Sequence, residues 1–167
     1  MAEQLHLKTL IAASPRKVYD AWIDPRRHAA FTASRTTGGT RVGDPFTAWD
    51  GYIQGIHLEL VPGRRIVQAW RTTEFPAGSQ DSRLEILLAP EAGKTRLTLV
   101  QTNIPDGQAE QYRQGWVDYY FAPLKKYLKA TKPARKAPAK AKARIVRGKK
   151  AKAKVKVKPK PRSRSRK

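Results

Sequence analysis

His57 and Glu59 stand two residues apart in the run Ile56–Leu60, whose apolar side chains alternate with them. Positions two apart on a strand share a face. The pair is therefore a candidate acid–base couple inside a cavity, and a solvated or hydrogen-bonded strand face is the other reading. The remaining histidines, His6 and His28, form no His-x-x-x-His and no His–carboxylate cluster at ligand spacing, so no metal site is expected. Cysteine is absent, which excludes disulfides and thiolate chemistry. Asp44 and Asp50 fall in turn sequences, where Asp bonds the local backbone. No nucleophile elbow, phosphate loop or dinucleotide fingerprint occurs. Gly38-Gly39 reads as a turn, and Arg64-Arg65 as a hairpin tip or a recognition patch. No catalytic residue, metal or cofactor is assigned.

Charge is the second chemistry in the chain. The 167 residues carry a net +22, spread unevenly. Residues 1–130 hold 17 Lys/Arg and all 13 Asp/Glu, a net +4. Residues 131–167 hold 18 cations and no acid: Lys132, Arg135, Lys136, Lys140, Lys142, Arg144, Arg147, Lys149, Lys150, Lys152, Lys154, Lys156, Lys158, Lys160, Arg162, Arg164, Arg166 and Lys167. With no aromatic and only Ile145, Val146, Val155 and Val157 as larger apolar residues, this tail is expected to be disordered when free and extended by self-repulsion. Duplex DNA carries one charge per about 1.7 Å, so the tail matches roughly 30 Å of duplex. Lysine outnumbers arginine 12 to 6, which favours sequence-independent phosphate contact over base stacking. Nucleic acid is the expected partner. RNA, polyphosphate, ribosomes and anionic membrane stay open, although the tail lacks the large apolar anchors of a membrane-surface segment. In composition it is similar to the Lys/Ala/Pro-rich tails of linker histones and histone-like bacterial proteins.

The elements that must position any site follow from patterning. Leu5, Leu7, Thr9 and Ile11 alternate with His6, Lys8 and Leu10, a half-buried strand. Ser14-Pro15 starts a short helix over 15–23, Asp24-Pro25 ends it, and 26–32 can add further turns. From Thr36 to Asn103, turn signals at regular intervals separate about six short period-two runs, making about seven strands with the first. Pro105-Asp106 then opens a helix over 108–129. Its stripe is Tyr112, Trp116, Tyr120, Leu124 and Tyr127/Leu128, with a bend near Tyr119 imposed by Pro123. The expected class is α+β: a curved antiparallel sheet gripping one long C-terminal helix, as a domain over 1–130 with the tail at 131–167.

Three separated segments carry a more specific signal: Ala13–Trp22 (ASPRKVYDAW), Leu58–Arg71 (LELVPGRRIVQAWR) and Gln114–Leu128 (QGWVDYYFAPLKKYL). In this order they resemble the activator of heat-shock-protein ATPase homologue family, whose members have the START-like (SRPBCC) helix-grip fold. The resemblance covers about residues 3–129. It implies a deep, largely apolar cavity under the last helix and a heat-shock chaperone as a partner. The eukaryotic activators carry a further N-terminal domain that contributes to chaperone binding, and no counterpart is expected here because the grip begins at residue 3.

Trp22, Phe31, Trp49, Trp70, Trp116 and Tyr120 are the candidate cavity residues, as walls around a flat apolar ligand or as plain core packing. Three functions follow. The leading expectation is a non-enzymatic binding protein whose domain holds an apolar small molecule or protein partner while its tail binds nucleic acid. The second is a co-chaperone-like regulator that touches a heat-shock ATPase through the outside of its sheet. The third is a small cyclase- or hydrolase-type enzyme working in the cavity. With no secretory signal and no apolar run of about 20 residues, no membrane insertion is expected and the location is cytoplasmic, nucleoid-associated in a bacterium.

Overall fold

The computed structural model describes residues 1–131; the cationic tail from Lys132 onward lies outside the described residues. Seven strands form one antiparallel sheet: β1 (Glu3–Ile11), β2 (Thr37–Gly38), β3 (Pro45–Ala48), β4 (Ile53–Val61), β5 (Arg65–Thr72), β6 (Ser82–Glu91) and β7 (Lys94–Ile104), in the order β1-β7-β6-β5-β4-β3-β2. The first strand pairs with the last, Leu7 opposite Leu99 and Thr9 opposite Leu97. The sheet curves around the C-terminal helix, the α+β helix grip expected from the sequence.

Two short helices lie between β1 and β2. Ser14 caps α1 (Pro15–Ile23) by accepting the Lys17 N–H at 3.3 Å. Asp24 both stops and restarts the chain. Its N–H closes α1 on the Asp20 carbonyl, and its carboxylate accepts the Arg26 and Arg27 N–H groups at 2.8 and 3.2 Å to open α2 (Pro25–Thr32).

The long helix differs from the continuous one expected. It is α3 (Ala109–Trp116), a π-helical turn (Val117–Phe121) and α4 (Ala122–Ala130). Pro123 has no N–H to offer the carbonyl four residues back. The ladder widens by one residue beside it, the Ala122 N–H bonding the Val117 carbonyl. The expected bend near Tyr119 is this π turn. Tyr112, Trp116, Tyr120, Leu124 and Leu128 all stay buried, so the apolar stripe continues through the irregularity.

A second irregularity overturns the proposed acid–base couple. The β4–β5 register shifts between His57 and Glu59, so that His57 faces Gln68 while Glu59 faces Val67. Leu58 is the extra residue of this bulge. His57 is buried on the concave face with Gln68, and Glu59 goes to the convex face, where it bonds Arg65 at 3.2 Å. The alternation of Ile56, Leu58 and Leu60 was visible in the sequence, but Ile56 and Leu58 are the exposed members of the run.

Gly55 shapes the same strand. Opposite Phe46 in the β3–β4 ladder, it lets that ring lie flat over the sheet; a Cβ there would sit 2.2 Å from the Ala69 carbonyl oxygen and 2.6 Å from the Phe46 ring. Phe46 in turn stacks on the His57 imidazole, centroids 5.0 Å apart and planes 15° from parallel.

Candidate functional site

The concave face meets the long helix through a ladder of rings. Trp116 sits at its centre, 2% exposed, with Trp22 stacked at 6.0 Å, Trp70 at 5.5 Å and Tyr120 at 4.7 Å. Phe31 and Trp49 reach this cluster through Tyr120, at 5.9 and 6.5 Å. Tyr112 and Phe75 extend it beyond Trp70. All six candidate aromatics are thus buried in one cluster.

The rings fill the grip. Between sheet and helix remains a void of about 20 Å³, room for about one water. Trp22, Trp70, Trp116 and Tyr120 line it; Phe31 and Trp49 do not. Its polar lining comes from residues not assigned from the sequence, Gln68, Thr36 and Thr37, together with His28 and His57. Thr36 Oγ1 is buried without a hydrogen-bond partner. Gln68 was legible only as a polar residue inside the apolar run of β5.

Trp49 occupies a tight turn after β3. Both it and Asp50 have positive φ, 53° and 59°, which is rare for a bulky side chain and requires support from elsewhere. The support is the edge-to-face contact of Trp49 with Tyr119, at 5.7 Å, on the π turn.

Polar groups inside the grip are joined in chains. The Trp116 indole donates to Gln101 Oε1 at 2.8 Å, the Gln101 amide donates to Ser82 Oγ at 2.9 Å, and the Ser82 hydroxyl donates to the Trp70 carbonyl at 2.8 Å. Each imidazole is held in one tautomer. His28 Nδ1–H donates to the Trp22 carbonyl at 2.8 Å, leaving Nε2 to face the Tyr120 hydroxyl at 3.4 Å. His57 Nε2–H donates to the Gly39 carbonyl at 3.1 Å, and Nδ1 accepts from Gln68 at 3.2 Å. Burial pushes His28 down to about 4 and His57 also downward, against the opposing pull of the carbonyls they bond.

Both rings are therefore neutral at pH 7, and a pH dependence follows. Below 6.5 the unfolded chain takes up a proton that folded His28 refuses until about pH 4, so stability falls as pH drops through that window. The loss from His28 between pH 7 and 5 is about 2 kcal/mol. Urea denaturation at the two pH values should show it, and His28→Gln should flatten the curve by that amount. Identical pH dependence in parent and variant would remove His28 as its source.

The convex face has a different character. Arg65 bridges Glu59 at 3.2 Å and Glu85 at 2.7 Å, and Arg83 joins Glu85 at 3.1 Å. Although partial burial raises Glu85, hydrogen bonds from Arg83 and Arg65 hold its carboxyl below the ordinary value. Arg65, read as part of a hairpin tip or recognition patch, is thus bound within this network. Around it, Ile56 is 42%, Leu58 48% and Leu87 37% exposed. Among the described residues no group of three or more His, Asp or Glu side chains is placed to hold a metal ion, and no helix is long and apolar enough to cross a membrane.

A curved seven-stranded sheet closed on a C-terminal helix by packed aromatics defines a START-like helix-grip domain. Residues 12–129 match the family described as activator of Hsp90 ATPase homolog 1-like protein, and the chain belongs to that family. The activator of 90 kDa heat shock protein ATPase homolog of Dictyostelium discoideum is 35% identical over 114 residues, 67% of this chain and 29% of that protein. The human activator homolog 1 is 30% identical over 122 residues, 73% of this chain and 36% of that protein. The chain thus spans about a third of the length of these relatives. Among solved structures, a protein from Chromobacterium violaceum is 30% identical with a TM-score of 0.60, over 74% of this chain and 94% of that one. An HSP90 activator from Plasmodium falciparum is 19% identical with a TM-score of 0.71, over 75% and 96%, a likeness of fold.

Proposed function

We propose that the domain acts by its surface, as a co-chaperone-like regulator of an Hsp90-type ATPase, rather than as a carrier of an apolar small molecule. The supporting observation is the filled grip. A void of about 20 Å³ is far below the roughly 300 Å³ at which small-molecule sites begin. Family membership and the names of the relatives point to the same partner. The contact surface is the convex sheet face, where Ile56, Leu58 and Leu87 stand exposed beside the Arg65–Glu85 network. Apolar anchors rimmed by paired charges suit a protein interface. Residues 131–167 hold the protein on nucleic acid, on the nucleoid in a bacterium; the support is a net +18 with no acidic residue.

The test is ATP turnover by an Hsp90-type chaperone from the same cell, titrated with this protein. The parent should raise the turnover rate. Ile56→Asp/Leu58→Asp, which alters two exposed side chains, should weaken the half-maximal concentration roughly tenfold or more, as loss of a central anchor does, without lowering the melting temperature. An unresponsive chaperone would contradict the reading of the domain. Equal potency of parent and variant would move the contact to another face.

A further inference from the structure

The domain's +4 is not spread over its surface. The helices α1, α2 and α4, with the capping Asp24, hold seven cations (Arg16, Lys17, Arg26, Arg27, Lys125, Lys126, Lys129) against two acids, Asp20 and Asp24, a net +5. The rest of residues 1–130 holds ten cations and eleven acids, a net −1. These helices form one layer. Helix α1 packs on α2 and α2 on α4, the Phe31 and Tyr127 rings meet at 6.3 Å, and the Tyr127 phenol lies within electrostatic reach of Arg27 and Asp24.

The two acids of the layer are already engaged. Asp20 bonds Arg16 at 3.0 Å, while Asp24 caps α2 and lies 4.0 Å from Arg27. Lys17, Arg26, Lys125, Lys126 and Lys129 are all exposed and, among the described residues, none has an acidic partner within 4 Å. Helix α4 contains no acidic residue. Outside the layer Arg65, Arg71, Arg83 and Arg96 each sit on a carboxylate, while Lys8, Arg41, Arg64 and Lys94, on the sheet and its loops, have none among the described residues. The unpaired cations of the helices are thus concentrated on one layer, and the 18 cations of residues 131–167 follow α4 directly in the sequence.

We infer that the exposed face of α1, α2 and α4 is a second polyanion contact, taking the phosphate backbone of duplex nucleic acid together with the tail. The inference rests on the nucleic-acid reading of residues 131–167 and adds a folded surface to it. Phosphates suit the layer because its cations are unpaired, sit on helices and include no exposed aromatic for stacking on unpaired bases. Two linked contacts on one polymer raise each other's effective concentration, so a layer too weak to hold duplex alone contributes once the tail is bound. The arrangement leaves the convex sheet face free for a protein.

The experiment uses the full chain and a random 25-base-pair duplex, with binding followed by fluorescence anisotropy across a salt series. Each phosphate contact contributes about 0.9 to the slope of log K against log salt. Lys125→Gln/Lys126→Gln/Lys129→Gln should make the slope shallower by about 2.7. Glutamine keeps helix propensity at these exposed positions, and an unchanged melting temperature confirms the fold. A control triple with the same charge change outside the layer, Lys8→Gln/Arg41→Gln/Lys94→Gln, should leave the slope where it was. An unaltered slope in the α4 variant, or equal changes in both triples, overturns the inference while leaving the tail reading standing. No duplex binding by the parent overturns both. Parent binding to phosphatidylserine vesicles but not to duplex overturns both in favour of a membrane surface.

Discussion

Replacing Trp116 by alanine is expected to cost about 3–5 kcal/mol, the range for large aromatic truncations in cores. Two terms place it toward the upper end. The ring has close stacking partners on three sides, Trp22, Trp70 and Tyr120, held on a helix, a strand and the π turn. These elements are fixed by the sheet and by the capped helices, so collapse into the space is restricted. The indole N–H is also the partner of Gln101 Oε1, and Gln101 is fully buried. Leaving that oxygen unpaired adds about 1–3 kcal/mol. Trp116→Phe separates the terms: most of the bulk survives and the hydrogen bond does not, so its cost should fall near 1–3 kcal/mol. Combining it with Gln101→Met should recover part of the loss, because the orphaned amide is removed as well. Urea denaturation of the parent, Trp116→Phe, Gln101→Met and the double variant gives the cycle, with Trp116→Ala measured alongside. A loss below about 1 kcal/mol for Trp116→Ala would contradict its place at the centre of the grip.

Deleting residues 131–167 is expected to remove nearly all duplex affinity at low salt. The segment holds 18 of the chain's 35 cations and none of its 13 acids. With about 7–11 phosphates engaged, the intact protein should lose on the order of 10⁴–10⁶ in affinity between 50 and 200 mM salt. The truncated protein should retain at most the weak contribution of the helix layer. It should also unfold cooperatively at nearly the temperature of the full chain, since the turn signals and apolar patterning end by Leu128. Shuffling the order of the tail should change little, because phosphate contacts carry no base information. Anisotropy titrations of the three proteins at 50 mM salt decide the point. Equal affinity of intact and truncated chains would place the polyanion contact elsewhere.

The fold was legible because its signals are local and repeated. Turn residues divided the strands, Ser14 capped the first helix and Asp24-Pro25 ended it, and the i+4 stripe from Tyr112 to Leu128 marked one buried helix face. What escaped depended on single-residue irregularities. The bulge at Leu58 reverses the facing of the strand from Glu59 onward, and period-two reasoning has no means of seeing an inserted residue. Pro123 pointed to the bend, but a π turn that keeps Trp116 and Tyr120 on the same side depends on how the sheet receives them. The filling of the grip was open for a further reason. Four tryptophans can wall a cavity or occupy it, and their identities do not say which; the contacts of Trp116 with Trp22 and Trp70 do. The buried polar chain through Gln101 and Ser82 was hidden because both residues look like ordinary strand polars until their facing is known.

A grip filled by its own rings leaves no room for a bound small molecule. Native mass spectrometry of the protein purified gently from its own cells tests this most directly. The expected spectrum shows the polypeptide at its sequence mass, free of any stoichiometric small molecule, with a chaperone retained under the mildest conditions. A small apolar molecule held at one per chain, and released only when the protein unfolds, would contradict it.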